Sequence, residues 1–347
     1  MTEFAAPLRL DLDGNALVSN WRTLDALSGA ARAGAAVKAN GYGLGAREVV
    51  ARLRDAGCRD FFVAHWGEAR ELADIIPATW ISVLNGICAD DIAAVRALGA
   101  VPVLNTPEQI GLWQQAGGGR CHVMLDSGIN RLGLAPDRIG DALLHDLDID
   151  ILLSHLASAD EEVPQNARQL EIFADARSRI KANRYSLANS AGIMLGNEYH
   201  FDLTRPGLSL YGGVARPEMA SLIQPVVTIS ARLLQVCDLP AGATVGYNAT
   251  YVCKQATRVG TMSIGYADGY LRAFSGKGSV QYGEHKLPVI GRVSMDLVTV
   301  DVSSAPELRE GDWVGVDYDL PTASAQSGLS QYELLTNLGV RFVRKWC

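Results

Sequence analysis

Nowhere among the 347 residues does an apolar run approach the roughly 20 positions needed to cross a bilayer. The opening stretch, MTEFAAPLRLDLDG, has no basic segment leading into an apolar one, so no signal peptide is expected. Both absences point to a cytoplasmic protein with no membrane partner. The six cysteines (Cys58, Cys88, Cys121, Cys237, Cys253 and Cys347) are scattered and form no C-x-x-C pair. They read as small core hydrophobes rather than as a disulfide framework. The six histidines, at 65, 122, 145, 155, 200 and 285, show neither H-x-H nor H-E-x-x-H spacing, so no metal site is expected. A net charge of −7 argues against a nucleic-acid partner or an acidic membrane surface.

What the chain does contain is one theme repeated from residue 35 to residue 210. A short apolar run ends in a polar residue, and a helical pattern usually follows. The runs are AAVK (35–38), DFFVAH (60–65), WISVLN (80–85), AVPVLN (100–105), CHVMLD (121–126), DILLSH (150–155), YSLAN (185–189) and HFDLTR (200–205). Short apolar runs alternating with helices read as buried parallel strands joined by crossovers. Eight of them predict an α/β chain that begins with a (β/α)8 barrel of the TIM type. Helix signals agree: Thr106-Pro107 with Gln109 is an N-cap pattern, Gly57 and Gly99 are C-cap glycines, and Asp160 to Ile180 is one long helical stretch. After about residue 220 the texture becomes alternating, with β-like runs at 224–236, 257–264, 287–291, 296–302 and 311–319. Only Ser330 to Leu338 looks helical there. The expected division is a barrel over 1–221 and a mostly β C-terminal domain over 222–347.

In such barrels the chemistry sits at the carboxyl ends of the strands. Those ends carry Lys38, His65, Asn85, Asn105, Asp126, His155, Asn189 and Arg205. A Lys and an Arg closing buried strands are expensive unless paired or used. Lys38 also precedes a Gly-rich loop, Ala39-Asn40-Gly41-Tyr42-Gly43-Leu44-Gly45. Burial lowers a lysine pKa, which suits an amine that forms a Schiff base, and the glycines let backbone N–H groups approach an anion. The loop is neither the G-x-G-x-x-G dinucleotide fingerprint nor a Walker motif. On the residues alone, a Schiff-base amine and an ordinary surface lysine both stay open.

The segment AAVKANGYGLGA resembles the cofactor-lysine motif of the alanine racemase family. So do LDSGINRLGL (125–134), SHLASAD (154–160), LANSAG (187–192), RPGLSLYG (205–212), VGYNATY (245–251), IGYADGY (264–270), VIGRVSMD (289–296) and YELLTNLG (332–339), all in the family's order. The resemblance implies a barrel followed by a β domain, pyridoxal 5'-phosphate (PLP) as cofactor, an amino-acid substrate, and interconversion of L- and D-alanine, supplying D-alanine for peptidoglycan. It implies that Lys38 binds PLP and acts as one acid/base, and that Tyr42, Ser190, Gly207, Leu208 and Tyr332 cradle the phosphate, with Asn189 beside them. Arg205 would face the pyridine nitrogen, with His155 bonded to Arg205 and holding its plane. A guanidinium only donates hydrogen bonds, so it leaves that nitrogen unprotonated and the ring a weaker electron sink, which suits racemisation. Tyr247 would be the second base. A phenol ordinarily loses its proton near pH ~10, so it needs help from its surroundings to act at neutral pH. Arg131 would orient the substrate carboxylate, and Tyr266 and Met295 would line the pocket. In the family Tyr247, Tyr266 and Met295 come from the other protomer, which implies a C2 homodimer with composite sites.

The chain departs from the pattern in three places. Met124 stands where many members carry a lysine modified to a carbamate that pairs the arginine matched by Arg131, so another carboxylate or a bound anion is expected there. Leu44 replaces a common His, and Asn248 a common Gly. A racemase for serine or a broader set of amino acids is the alternative, because pocket width is set by few side chains. A PLP-dependent decarboxylase on the same barrel type would be expected to place an acid, not Arg205, at the pyridine nitrogen. A non-catalytic PLP-binding protein would resemble the barrel alone.

Overall fold

The computed structural model describes residues 5–140 and 142–347; residues 1–4, part of the domain expected over 1–221, lie outside the described residues. The chain divides into two compact units, one spanning Ala16–Gln224 and the other combining Pro225–Cys347 with the segment that ends at Asn15.

The first unit is the barrel. Its strands are Arg32–Ala33 continued by Ala35–Ala36, then Phe61–Val63, Ile81–Val83, Val101–Leu104, Arg120–Met124, Asp148–Leu153, Arg184–Ser186 and Leu203–Thr204. Each pairs in parallel with the next through Arg184–Ser186. Closure comes at the last strand. Asp202 N–H donates to Tyr185 O at 3.0 Å on one side, and on the other Gly34 N–H donates to Thr204 O at 2.9 Å. Between the two halves of the first strand stands Gly34, where a Cβ would lie 2.8 Å from Asp60 O. The strands are short and almost wholly buried, as expected for apolar runs covered on both faces.

The helix signals hold. Thr106 caps Pro107–Gln115 by accepting from Gln109 N–H, with Pro107 in the first turn. Gly57 and Gly99 end Ala46–Ala56 and Ile92–Leu98 in the left-handed conformation. The long helix starts at Pro164 rather than at residue 160, and runs to Arg179. Proline cannot continue an interior helical hydrogen bond, so it sets the first turn.

The second unit is an eight-stranded, mostly antiparallel sheet. Its order is Thr257–Met262, Val298–Asp301, His285–Ile290, Ser279–Tyr282, Trp313–Val316, Val227–Leu239, Leu8–Leu12 and Val343–Trp346. Strand Val227–Leu239 serves both ends: it also pairs with Thr257–Met262, with a register shift between Leu233 and Gln235. Two features differ from the sequence reading. Leu8–Leu12, expected in the domain over 1–221, belongs to this sheet, antiparallel to Val227–Leu239 and parallel to Val343–Trp346. Its alternating pattern is that of a half-buried strand, not of a barrel strand. A second helix, Leu320–Ser327, precedes Gln331–Thr336, capped by Asp319 accepting from Thr322 N–H. Among the described residues, no helix is long and apolar enough to cross a membrane.

At the amino ends of the barrel strands lies a paired charge network. Asp150 accepts from Arg120 at 2.7 Å and from Arg184 at 2.9 Å, and Arg184 also meets Asp60 at 2.9 Å. Burial alone would raise the Asp150 carboxyl, but the hydrogen bonds from Arg120 and Arg184 outweigh it and hold it down to about 2. The neighbouring His122 is driven down to about 3 by burial. It accepts from Ile151 N–H at 3.2 Å, leaving its other nitrogen to donate to Ser82 at 3.0 Å. The Asp150 value lies below the ~4 of an unfolded carboxyl, so its contribution is full above about pH 4 and fades as pH falls toward 2. Asp150→Asn should lower stability at pH 7 by about 2–3 kcal/mol. It should also shrink the loss of urea midpoint between pH 5 and pH 3, measured by circular dichroism. An unchanged acid dependence would contradict the assignment.

Candidate active site

The first strand ends in an unusual way. Val37 N–H makes a ladder bond to Phe62 O at 2.9 Å, and then the chain turns left-handed, with φ of 54° at Ala39, 54° at Asn40, 62° at Gly41 and 53° at Tyr42. Gly41 N–H closes the turn on Val37 O at 2.8 Å, and Gly43 N–H on Ala39 O at 2.9 Å. For L-residues this conformation costs roughly 1–2 kcal/mol each, strain of the kind that gathers at functional sites. Lys38 sits at the entry to the turn. Its amine is held below the usual lysine range, first by burial and then by Arg131; Glu68 acts in the opposite sense, and Arg205 adds to the lowering.

Arg205 is buried, and no carboxylate pairs with it among the described residues. Its guanidinium donates to Ser186 Oγ and to Ser154 O, both at 2.5 Å, and lies 5.9 Å above the Phe62 ring. Burial draws it down to about 10, so it keeps its charge at neutral pH. The expected hydrogen bond from His155 to Arg205 is not formed. Burial, then Arg205, Arg131 and Lys38, drives His155 down to about 3, so it is neutral. Ser186, and the carbonyl of Ser154, are the supports that sequence reasoning missed; a serine two positions inside a strand and a backbone oxygen carry no motif.

Arg131 is exposed. Asp126 accepts the backbone N–H groups of Gly128, Ile129, Asn130 and Arg131, but no carboxylate pairs with the Arg131 guanidinium among the described residues. Met124 packs with Phe62, Val103, Ile151, Leu153 and Leu203 in the core. The replacement carboxylate expected from the sequence is therefore not supplied by the described residues.

Beside this cationic mouth lies a close-packed backbone cradle. Ser190 Oγ accepts from Gly207 N–H at 2.9 Å and from Ser209 N–H at 3.3 Å. A Cβ on Gly207 would lie 2.2 Å from the Tyr42 hydroxyl oxygen, so only glycine lets these parts meet. Tyr42 in turn stacks on Tyr211, centroids 4.6 Å apart, and Tyr211 donates to Ala36 O at 2.8 Å. Tyr42, Ser190 and Gly207 thus lie together, with Leu208 the first residue of the turn Leu208–Tyr211 that follows. Asn189 turns its side chain to accept from Gly192 N–H. A half-buried amine, a buried guanidinium with no carboxylate partner among the described residues, and tight backbone amides fit an anionic aldehyde cofactor.

The remaining expected residues lie in the second unit. Tyr266 N–H donates to Ser294 O and Ala267 N–H to Met295 O, both at 3.0 Å, which brings the Tyr266 and Met295 segments together. Arg341 fastens them. It makes two bonds to the buried Asp268, at 2.6 and 2.7 Å, and one to Asp296 at 2.7 Å. Tyr247 is 65% exposed and Met295 54%. Asn248, in place of a common Gly, adopts φ of 60°, a conformation asparagine tolerates. Tyr332 lies exposed on the helix Gln331–Thr336. Among the described residues, no group of three or more His, Cys, Asp or Glu could hold a metal ion.

Residues 12–215 match the family described as alanine racemase, N-terminal domain, and residues 226–346 match alanine racemase, C-terminal domain. The biosynthetic alanine racemase of Agrobacterium fabrum is 40% identical over 367 residues, covering 98% of this chain and 94% of its own length. The alanine racemase of Methylobacterium nodulans is 42% identical over 355 residues, covering 97% of this chain and 95% of its own length. Among solved structures, the alanine racemase of Bartonella henselae with covalently bound pyridoxal phosphate superposes with a TM-score of 0.93 at 34% identity, over 99% of this chain and 100% of that one. The biosynthetic alanine racemase of Pseudomonas aeruginosa gives 0.90 at 32% identity, over 99% and 100%.

Gly207→Ala should force the Tyr42 ring out of the cradle. The expected result is PLP binding at least tenfold weaker, by equilibrium dialysis of the cofactor-stripped chain, with the circular dichroism spectrum unchanged. Native affinity in the variant would contradict the close approach.

Proposed function

The chain belongs to the alanine racemase family, and we propose that Lys38 and Tyr247 are its two catalytic acid/bases, working on opposite faces of the substrate Cα. It is a PLP-dependent racemase that interconverts L- and D-alanine. The observation that carries the site assignment is the half-buried Lys38 at the carboxyl end of the first barrel strand, at the entry to the left-handed turn, with Arg131 and Arg205 both favouring its neutral form.

When bound, the cofactor supplies an electron-withdrawing ring joined to the substrate nitrogen, which acidifies the Cα–H. Tyr42, Ser190, Gly207 and Leu208 hold its phosphate, with Asn189 beside them and Tyr332 completing the cradle. Arg205, fixed by Ser186 and Ser154, only donates, so facing the ring nitrogen it would leave that atom unprotonated and the acidification moderate. His155, neutral, fills the space beside it without adding a third positive charge. Arg131, without a carboxylate partner on this chain, orients the substrate carboxylate, and Tyr266 and Met295 narrow the pocket around the methyl group. Lys38, with its amine biased toward the neutral form, takes or returns a proton on one face; the Tyr247 hydroxyl does so on the other.

We infer that the working unit is a C2 homodimer with composite sites. The barrel expected over 1–221 binds the cofactor, and the β domain over 222–347 lends Tyr247, Tyr266 and Met295 to the partner's site. Support comes from Tyr247 and Met295, large side chains left exposed on the unit that carries them.

Lys38→Ala should abolish the yellow chromophore and cut racemisation at least a thousandfold. Tyr247→Phe should slow racemisation by about 10²–10⁴-fold, while solvent deuterium still enters Cα of one enantiomer of alanine, followed by proton NMR. Equal wash-in from both enantiomers, or undiminished racemisation, would remove Tyr247 from the role.

A further inference from the structure

Of the charged groups that act on the Lys38 amine, one is a carboxylate, Glu68. In the ladder between the first two strands, Ala35 N–H donates to Asp60 O at 2.8 Å and Val37 N–H to Phe62 O at 2.9 Å. Parallel rungs are evenly spaced, so the next amides in line are those of Ala39 and Ala64. Their backbone acceptors are already committed: Val37 O accepts from Gly41 N–H at 2.8 Å, and Ala64 O from Asn85 N–H at 3.0 Å. Both amides donate to one side chain instead. Ala39 N–H meets Glu68 Oε1 at 2.6 Å, and Ala64 N–H meets Glu68 Oε2 at 2.7 Å.

Glu68 therefore replaces two rungs of the ladder at the point where the chain turns left-handed, one residue after Lys38. Its own placement is fixed by the helix Trp66–Leu72, whose N-cap His65 accepts from Glu68 N–H. The carboxylate is only 15% exposed, so solvent screens it weakly. The charged groups that act on Lys38 come from three loops: Glu68 after the second strand, Arg131 after the fifth, and Arg205 after the eighth. His155, after the sixth, is neutral. Glu68 is the negative member of this set.

We propose that Glu68 is the positioning residue of Lys38: its carboxylate pins the strained turn that aims the amine and supplies the negative charge that opposes Arg131 and Arg205. The proposal rests on the reading of Lys38 as the cofactor lysine. It has two separable parts. The geometric part needs two acceptor oxygens; the electrostatic part needs the charge. Glu68→Gln keeps the length, removes the charge, and turns one acceptor into a donor that faces an N–H. Glu68→Asp keeps the charge and shortens the reach.

The test is a pH titration of the visible spectrum of the PLP-bound full-length protein, native and variant, with dialysis to follow cofactor retention. The nitrogen of Lys38 joined to the cofactor absorbs near ~420 nm when protonated, and a nearby negative charge favours that form. Glu68→Gln should move the midpoint for loss of this band to lower pH by about one unit, the size expected for one charge a few ångströms away at intermediate dielectric. Glu68→Asp should leave the midpoint within about 0.3 units of native while releasing PLP several-fold faster. A native midpoint in Glu68→Gln, or equal shifts in both variants, would overturn the electrostatic part. Native PLP retention in Glu68→Asp would overturn the geometric part, and this variant alone decides that part should Glu68→Gln fail to fold. Lys38→Ala separates the two readings: a surviving band near ~420 nm there would remove Lys38 itself and with it the role of Glu68.

Discussion

A half-buried amine on which two guanidinium groups act is the constraint on which the barrel mouth is built. Desolvation and the guanidinium groups of Arg131 and Arg205 all favour the neutral form of Lys38. A neutral lysine is a nucleophile and a base; a protonated one is neither. The same surroundings exclude a second basic group from becoming charged, which is why His155 is driven far below its ordinary range. The left-handed turn after Lys38 is the structural counterpart. It ends the strand abruptly, sends the backbone away, and leaves the side chain at the mouth with glycine-lined amides close by.

The two ends of the barrel treat charge in opposite ways. At the amino ends, Arg120 and Arg184 are matched by Asp60 and Asp150, so the buried charges are hydrogen-bonded and neutralised in pairs. At the carboxyl ends, Lys38, Arg131 and Arg205 outnumber Glu68 and Asp126, and Asp126 is spent on backbone N–H groups. Unmatched buried charge is destabilising unless something else supplies the complement. In the proposed site an anionic cofactor and an amino-acid carboxylate would supply it, so the same imbalance would favour their binding. This division of labour is the one expected of a barrel whose chemistry sits at one face.

Much of this is legible in the sequence because it is carried by local pattern. Eight apolar runs correspond to eight strands, since strands covered on both faces are built mainly of apolar residues, with Asp150 a paired exception. Gly57, Gly99 and Thr106 signal helix ends through backbone chemistry that needs no partner. What is not legible depends on distant partners. Leu8–Leu12 alternates as a strand should, but nothing local says that its neighbours are Val227–Leu239 and Val343–Trp346. Leu320–Ser327 is rich in Ser, Thr and Ala and reads as a loop until Asp319 caps it. Arg205 stands out at the end of its apolar run, but its supports are Ser186 and a carbonyl rather than His155. Glu68 does not stand out, because an acid in the first turn of a helix usually does no more than favour the helix dipole.

The central claim is that the amine closing the first strand carries the cofactor. Borohydride reduction of the yellow protein, proteolysis and mass spectrometry of the peptides tests it directly. The account predicts the reduced pyridoxyl adduct on Lys38. An adduct on Lys181, Lys254, Lys277, Lys286 or Lys345 in place of Lys38, or none on any lysine, would contradict it.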